Sequence, residues 1–177
     1  MKNLSSLFLA LVLASSVSFG QTKEEKKKLK EEEREQGFLE MKKLIDSGTY
    51  EFEGRWATSQ RGARINLMTN PTFLKMTDQE ADAFFPFFGQ RFTGSGAYGT
   101  DSGIEFNTTV SDYKVSYNEK KKQVIVNFKA KGKNDTYKVR MVIFSKGNSS
   151  ITITSDHRSV MNYDGVVKEL VKKEAAD

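Results

Sequence analysis

Apolar and polar residues alternate along most of the C-terminal half of the chain. The alternating runs are Tyr113–Tyr117, Val124–Ala130, Tyr137–Ile143 and Ile151–Ile153, each followed by a short polar turn. A period of two residues is typical of strands with one buried and one wet face, and the short turns predict antiparallel hairpins. Shorter runs upstream bring the total to about eight strands, at Tyr50–Trp56, Arg64–Met68, Phe73–Met76 and Ala81–Phe85. The sequence therefore predicts a mainly β fold, an antiparallel meander that forms a barrel or a sandwich.

A helix is predicted before the strands. Residues 23–46 carry eight basic and eight acidic side chains, so this segment is neutral. Phe38, Met41 and Ile45 recur at i, i+3 and i+7 and predict one buried stripe, whereas the preceding residues have no apolar face. We interpret residues 21–48 as a charged helical arm whose first part is solvated rather than a partner-binding coil. Residues 49–166 form the β-rich domain, and 167–177 a C-terminal tail, with a short helix from Val166 as the alternative.

Residues 1–20 have the pattern of a secretory signal peptide. Lys2 precedes a short apolar run, and Ser18 and Gly20 supply small residues before Gln21. The run is shorter than the roughly 20 residues that span a bilayer, which favours cleavage near Gly20 over a membrane anchor. We therefore expect a periplasmic or secreted protein with no transmembrane segment in the mature chain.

Composition excludes several kinds of site. The 177 residues contain no Cys and one His, so a disulfide, a thiol nucleophile and a multi-His metal site are impossible within one chain. The net charge is +5, and because the helical arm is neutral, the excess lies in the β-rich domain. No cofactor and no metal site is predicted, and we expect a protein that is not an enzyme.

An aromatic stretch and a glycine-rich loop are the first candidate ligand site. Four phenylalanines in residues 84–88 lie too close together to share one strand face, and we interpret them as the end of a core or as the wall of an apolar pocket. The literal Gly-x-Gly-x-x-Gly pattern at 94–99 has no helix predicted after it, so nucleotide binding is not expected. The candidate ligand-binding residues are Phe84, Phe85, Phe87, Phe88, Phe92 and Tyr98.

A basic face is the second candidate. It consists of Lys114, Lys129, Lys131, Lys138 and Arg140, which the alternation places on the wet side of neighbouring strands. In an exported protein we expect a glycan, a lipid head group or an acidic protein rather than nucleic acid. A solvated strand face is the alternative, because Lys also protects sheets against edge association.

Carboxylates and the single histidine give weaker signals. Asp78, Glu80 and Asp82 alternate, with Asp101 and Glu105 further along, which is a pattern for a cation site or for acid–base hydrolysis. No calcium loop motif accompanies them, so solvated charges are favoured. His157 is interpreted as a turn residue.

Several segments together resemble a known family. The segments are Tyr50–Trp56, Arg64–Leu67, Asn70–Leu74, Ala83–Gly89, Gly103–Phe106, Asp112–Tyr113, Lys131–Tyr137 and Tyr163–Gly165. Over about residues 40–166 the chain is similar to domain-of-unknown-function family 4251, found in exported proteins of Bacteroidota. The resemblance implies a bacterial cell-envelope protein and assigns no activity, ligand or catalytic residue.

These observations favour a non-enzymatic exported cell-envelope domain that binds a small apolar or anionic ligand. The alternative is a structural or assembly protein whose charged N-terminal helix docks a partner. Neither the partner nor the ligand follows from the sequence.

Overall fold

The structure is a computed structural model that describes residues 22–92, 103–133 and 135–171. The chain divides after Glu33 into two units. Helix α1, Lys23–Asp46, extends across this division. Within the first unit, the Thr22 hydroxyl accepts a hydrogen bond from the Glu25 amide at 3.2 Å, and Glu25 Oε2 accepts one from the Thr22 amide at 2.9 Å. This reciprocal pair is a capping box, which satisfies backbone donors at the start of the helix.

In the second unit, the remainder of α1 carries the predicted apolar stripe. Phe38 and Ile45 are fully buried, and Met41 and Leu44 pack against the core. The helix ends before Gly48, whose φ of +73° is the left-handed conformation that glycine adopts without strain. The amphipathic helix predicted at Phe38–Ile45 and its stop are therefore confirmed.

Within the residues that the structure describes, ten strands follow the helix. They are β1 Thr49–Ser59, β2 Arg64–Asn66, β3 Phe73–Thr77, β4 Glu80–Pro86, β5 Gly103–Thr109, β6 Ser111–Asn118, β7 Gln123–Lys131, β8 Thr136–Phe144, β9 Asn148–Thr154 and β10 Met161–Glu169, with a 3-10 turn at Ser145–Gly147. All pairings are antiparallel, in the order β5-β4-β3-β1-β10-β9-β8-β7-β6, and β2 pairs with β1 off this path.

The sheet is nearly closed into a barrel by one bent segment. Strands β5 and β6 are separated only by Val110, yet β5 pairs with β4 and β6 pairs with β7 at the opposite end of the strand order. Phe106 of β5 lies 6.5 Å from the ring of Phe128 on β7 and 5.9 Å from that of Tyr137 on β8. The first strand of the order therefore packs through aromatic rings against β7 and β8, near the other end of the order, which favours a nearly closed barrel over a sandwich.

The core occupies the inside of the barrel. Along β7 and β8 the inward positions, such as Val124, Val126, Val139 and Met141, are at most 2% exposed. Their outward neighbours in sequence are polar or charged along most of both strands. The observed burial therefore matches the predicted alternation. Removing apolar side chains from water on one face stabilises the sheet by roughly 25 cal/mol per Å² of buried apolar surface.

The C-terminal segment differs from the prediction. Neither a helix nor a tail begins at Val166 or at residue 167, because β10 continues to Glu169 and pairs with β1 as far as Tyr50. Val167 is buried at 2% exposure. Strand β10 extends to Glu169 because β1 pairs with it along its whole length. A local sequence pattern does not reveal such a partner.

Candidate functional site

One end of the barrel carries a pocket of about 420 Å³. Strand β5 begins here, the β7–β8 turn reverses here, and the connection from β9 to β10 crosses it. This volume lies in the range of small-molecule sites. Its lining residues are Gly103, Glu105, Phe106, Asn107, Lys131, Gly132, Lys133, Tyr137 and Arg158.

Arg158 is the buried charge of this pocket. Only 8% of its side chain is exposed. Nη1 donates a hydrogen bond to the carbonyl oxygen of Gly103 at 2.8 Å. The guanidinium lies 5.1 Å from the ring of Phe87 and 5.9 Å from that of Tyr137, within cation–π range. Arginine is rarely buried without partners, and its planar fork of donors suits carboxylate and phosphate groups.

Backbone pairing holds Arg158 in position. Arg91 and Arg158 form an antiparallel bridge. The Ser159 amide donates to the Gln90 carbonyl at 2.8 Å, and the Gln90 amide donates to the Ser159 hydroxyl at 2.8 Å. The segment after β4 is therefore paired with the β9–β10 connection, and this short pairing holds the connection in place under the pocket.

Asp135 is the acidic neighbour of the buried arginine. Its carboxylate is 4% exposed, and its Oδ2 lies 3.9 Å from Arg158 Nε. Oδ1 accepts a hydrogen bond from the Thr136 amide at 2.8 Å. Among the residues that the structure describes, none donates a hydrogen bond to Oδ2. The pair is thus a buried ion pair with a long separation, and the hydrogen bond to the Gly103 carbonyl helps to orient the guanidinium.

Two more cations and two polar side chains line the same pocket. Lys131 and Lys133 are exposed on the β7–β8 turn, and Glu105 and Asn107 point outward from β5. Between Lys131 and Lys133, Gly132 is required by close packing, because a Cβ there would lie 2.7 Å from the Tyr137 ring. The pocket is therefore lined by three cationic side chains, one carboxylate, Glu105, and one amide, Asn107.

The aromatic stretch is divided between several roles. Phe85 is fully buried in the core, 4.8 Å from the ring of Tyr163. Phe87 supports Arg158, and Phe88 is partly buried against the core. Phe84 lies on the other face of β4 from Phe85, and Phe92 is 58% exposed. Tyr98 and the glycines at 94–99 lie outside the described residues.

The predicted basic face is assembled as the alternation indicated. Lys129 and Lys138 are direct partners across β7 and β8, and Arg140 is the partner of Asn127, which also faces Lys114. Lys131 continues the face to the rim of the pocket. Lys129 forms an ion pair with Asp112 at 2.7 Å, and Lys138 one with Asp156 at 3.7 Å. A hydrogen bond and charge attraction from Lys129 lower the pKa of Asp112, and the same pairing raises the pKa of Lys129.

The carboxylates considered for a cation site or hydrolysis lie along the outside of β4 and β5. Asp78 occupies a turn with φ of +56°, and Glu80, Asp82 and Glu105 are outward or exposed strand residues. Asp101 lies outside the described residues. Where the structure describes the chain, no group of three acidic or histidine side chains is arranged to hold a metal ion. His157 is exposed in the β9–β10 connection, as predicted.

Sequence reasoning missed the centre of the pocket. In the sequence, Arg158 belongs to the polar turn that follows Ile151–Ile153. Asp135 is one residue of the Lys131–Tyr137 segment that resembles the family. A single arginine in a connection has no periodicity, so only the pairing of residues 90–92 with 157–159 reveals its burial.

In the described part of the chain, no helix has both the length and the apolar character that crossing a membrane requires. No curated protein matches this chain. A solved structure of a DUF4251 family protein from Bacteroides eggerthii is similar, with a TM-score of 0.59 and 14% identity over 75% of this chain and 87% of that one. At this identity the likeness concerns the fold alone.

The family assignment rests on the sequence. The model of the family described as "Domain of unknown function (DUF4251)" matches residues 32–167. The match takes in α1 from its middle onward and continues to the buried Val167 of β10. The chain therefore belongs to the DUF4251 family of domains of unknown function.

Proposed function

We propose that this protein is a non-enzymatic binding domain that takes a small hydroxylated organic anion, such as a sugar acid or sugar phosphate, in the pocket beside Arg158. One observation carries the proposal: a cation that is 92% buried lines a pocket of about 420 Å³ whose rim adds two further cations. Cationic donors of this kind form short, strong hydrogen bonds to carboxylate and phosphate oxygens.

The walls of the pocket suit the remainder of such a ligand. Glu105 and Asn107 can hydrogen-bond to hydroxyl groups, and the rings of Phe106 and Tyr137 supply an apolar surface. The ion pair with Asp135 is long at 3.9 Å. Arg158 therefore has a partner within the protein and still lines the pocket that a ligand anion would enter.

The test is a titration followed by nitrogen–proton NMR. Glucuronate and glucose 6-phosphate are added to the protein, with glucose as the uncharged control. We expect chemical-shift changes at the Arg158 Nε–H and the Gly132 amide with both anions and none with glucose. Absence of a change with both anions at millimolar concentration overturns the proposal.

A matched pair of variants separates binding from folding. Lys133→Gln removes an exposed cation at the pocket, and Lys120→Gln makes the same change at the β6–β7 turn, at the other end of β7. We expect Lys133→Gln to weaken binding about three- to tenfold, which corresponds to roughly 1 kcal/mol, and Lys120→Gln to leave it unchanged. Equal affinities in the two variants contradict the assigned site.

We also propose that the protein is exported to the cell envelope. The basic, apolar and small-residue pattern of residues 1–20 supports this. The test is to express the full chain in a Bacteroides host and to determine the molecular mass of the protein from each cell fraction by mass spectrometry. Export predicts a mature mass that begins near Gln21, outside the cytoplasm. An intact chain confined to the cytoplasm overturns it.

A further inference from the structure

The outer surface of the barrel is divided by charge. Strands β6 to β9 contain five basic residues and one acidic residue, Asp112. The other six strands contain seven acidic residues and four basic ones, namely Arg55, Arg64, Lys75 and Lys168. Because sheet order keeps β6 to β9 adjacent, the basic residues form one continuous field rather than scattered points.

Register places these cations close together. Lys129 and Lys138 are directly opposite across β7 and β8, where Cβ atoms are about 5 Å apart. Like charges in such a pair repel each other, so the arrangement is unfavourable for stability alone. The pairs with Asp112 and Asp156 offset part of this repulsion, and the five cations against these two carboxylates leave an excess of three positive charges.

A shallow groove of about 360 Å³ crosses the field. Beside the cations, the groove has the uncharged hydrogen-bonding groups of Asn127, Thr152 and Thr154, and its lining also includes Asp112, Phe128 and Val139. Arg140 Nη1 donates to Asn127 Oδ1 at 3.3 Å, and Thr152 Oγ1 donates to Asn162 Oδ1 of β10 at 2.8 Å, so each of these groove side chains has a hydrogen-bond partner. The exposed Phe144 lies at the opposite end of β8 from Lys138.

From this field and groove we infer that the outer face of β6 to β9 binds a linear anionic polysaccharide. The cations match repeated carboxylate or sulfate groups, and the threonine and asparagine side chains match the hydroxyl groups between them. An anionic bilayer is a poorer match, because membrane-bound surfaces add exposed apolar side chains that enter the acyl region, whereas along β6 to β9, which are described throughout, Phe144 is the single large exposed apolar side chain. This surface lies outside the Arg158 pocket, although Lys131 borders both.

The experiment measures binding to immobilised polygalacturonate and dextran sulfate, with uncharged dextran as the control. The first variant combines Lys129→Gln, Lys138→Gln and Arg140→Gln. The matched control combines Arg55→Gln, Lys75→Gln and Lys168→Gln, which removes the same charge from the acid-rich strands. Lys131 is left unchanged, so a failure of this inference is separable from a failure at the pocket.

We expect the first variant to lose about tenfold or more in affinity, with a shallower dependence on salt, because fewer counterions are released. The control variant should change less than about twofold. Equal losses in both variants would mean that only net charge matters and would overturn the inference. So would the absence of polyanion binding by the unmodified protein.

A parallel measurement uses phosphatidylglycerol vesicles. We expect binding to vesicles to be weaker than binding to the two polysaccharides at the same salt concentration. Binding to vesicles that exceeds binding to polysaccharide, and that is lost in the first variant, would overturn the inference in favour of a membrane surface.

Discussion

Arg158 and Lys138 are cations in neighbouring parts of the same barrel, but their surroundings are opposite. The side chain of Arg158 is 8% exposed and lies against two aromatic rings, a backbone carbonyl and a carboxylate. The side chain of Lys138 is 58% exposed and faces Lys129 across the sheet, with Asp156 3.7 Å away.

Because of this difference in burial, the two cations contribute differently to stability. A buried charge is expensive to desolvate, so it persists only where the fold supplies partners in fixed positions. An exposed charge pair contributes little to stability, and is therefore available for a partner that binds from solution. Substitutions at Arg158 should consequently lower stability strongly, whereas substitutions at Lys138 should change stability little.

The largest expected effect is at the buried arginine. Arg158→Leu removes the cation but keeps an apolar side chain, and it leaves the Asp135 carboxylate buried without a counter-charge. We expect the free energy of unfolding to fall by about 3 kcal/mol, measured by urea denaturation. Adding Asp135→Asn should recover part of this loss, because an amide is cheaper to bury than a charge. A loss below about 1 kcal/mol would mean that Arg158 contributes no more to stability than an exposed cation does.

An intermediate effect is expected at Tyr163, a neutral buried group beside the pocket. Its hydroxyl donates to the Pro86 carbonyl at 2.8 Å, and burial raises its pKa well above the usual range. Tyr163→Phe should cost about 1 kcal/mol at neutral pH, because Pro86 loses its donor.

The pH dependence sharpens this prediction. A pKa raised in the folded state stabilises the protein fully below the ordinary tyrosine value of about 10, and this contribution is lost as pH rises above it. The difference in unfolding free energy between Tyr163→Phe and the unmodified protein should therefore shrink above pH 10, as measured by urea denaturation at several pH values. A constant difference up to pH 11 would show that ionisation of Tyr163 is not linked to folding.

The smallest expected effect is on the basic face. Lys138→Gln breaks an exposed ion pair with Asp156 and also relieves the repulsion from Lys129. We expect a change of less than about 0.5 kcal/mol in the free energy of unfolding, in the same urea assay used for Arg158→Leu. A loss comparable to that of Arg158→Leu would contradict the distinction between the two regions.

Much of the fold could be predicted from the sequence, and the basic face with it. Both depend on a period of two residues, which fixes the side of the sheet for Val126 and Lys129 alike. The predicted helix at Phe38–Ile45 is confirmed for the same reason, with a period of 3.6. The extension of β10 to Glu169 could not be predicted, because it depends on pairing with β1, more than a hundred residues earlier.

The pocket could be predicted only in part. The aromatic stretch lies near the pocket, where Phe87 contacts the Arg158 guanidinium, whereas Phe85 is buried in the core. Whether Phe84, Phe88 and Phe92 contact a ligand stays a prediction.

The sequence by itself determined which residues face inward along each strand, where the helix ends and which strands carry positive charge. These features are local, since they follow from backbone periodicity and from the conformational freedom of Gly48. Only the tertiary structure decided that the meander closes through β5 and β6 and that Arg158 is buried beside Asp135. Closure and burial join residues that are distant in sequence, and no local pattern encodes such contacts.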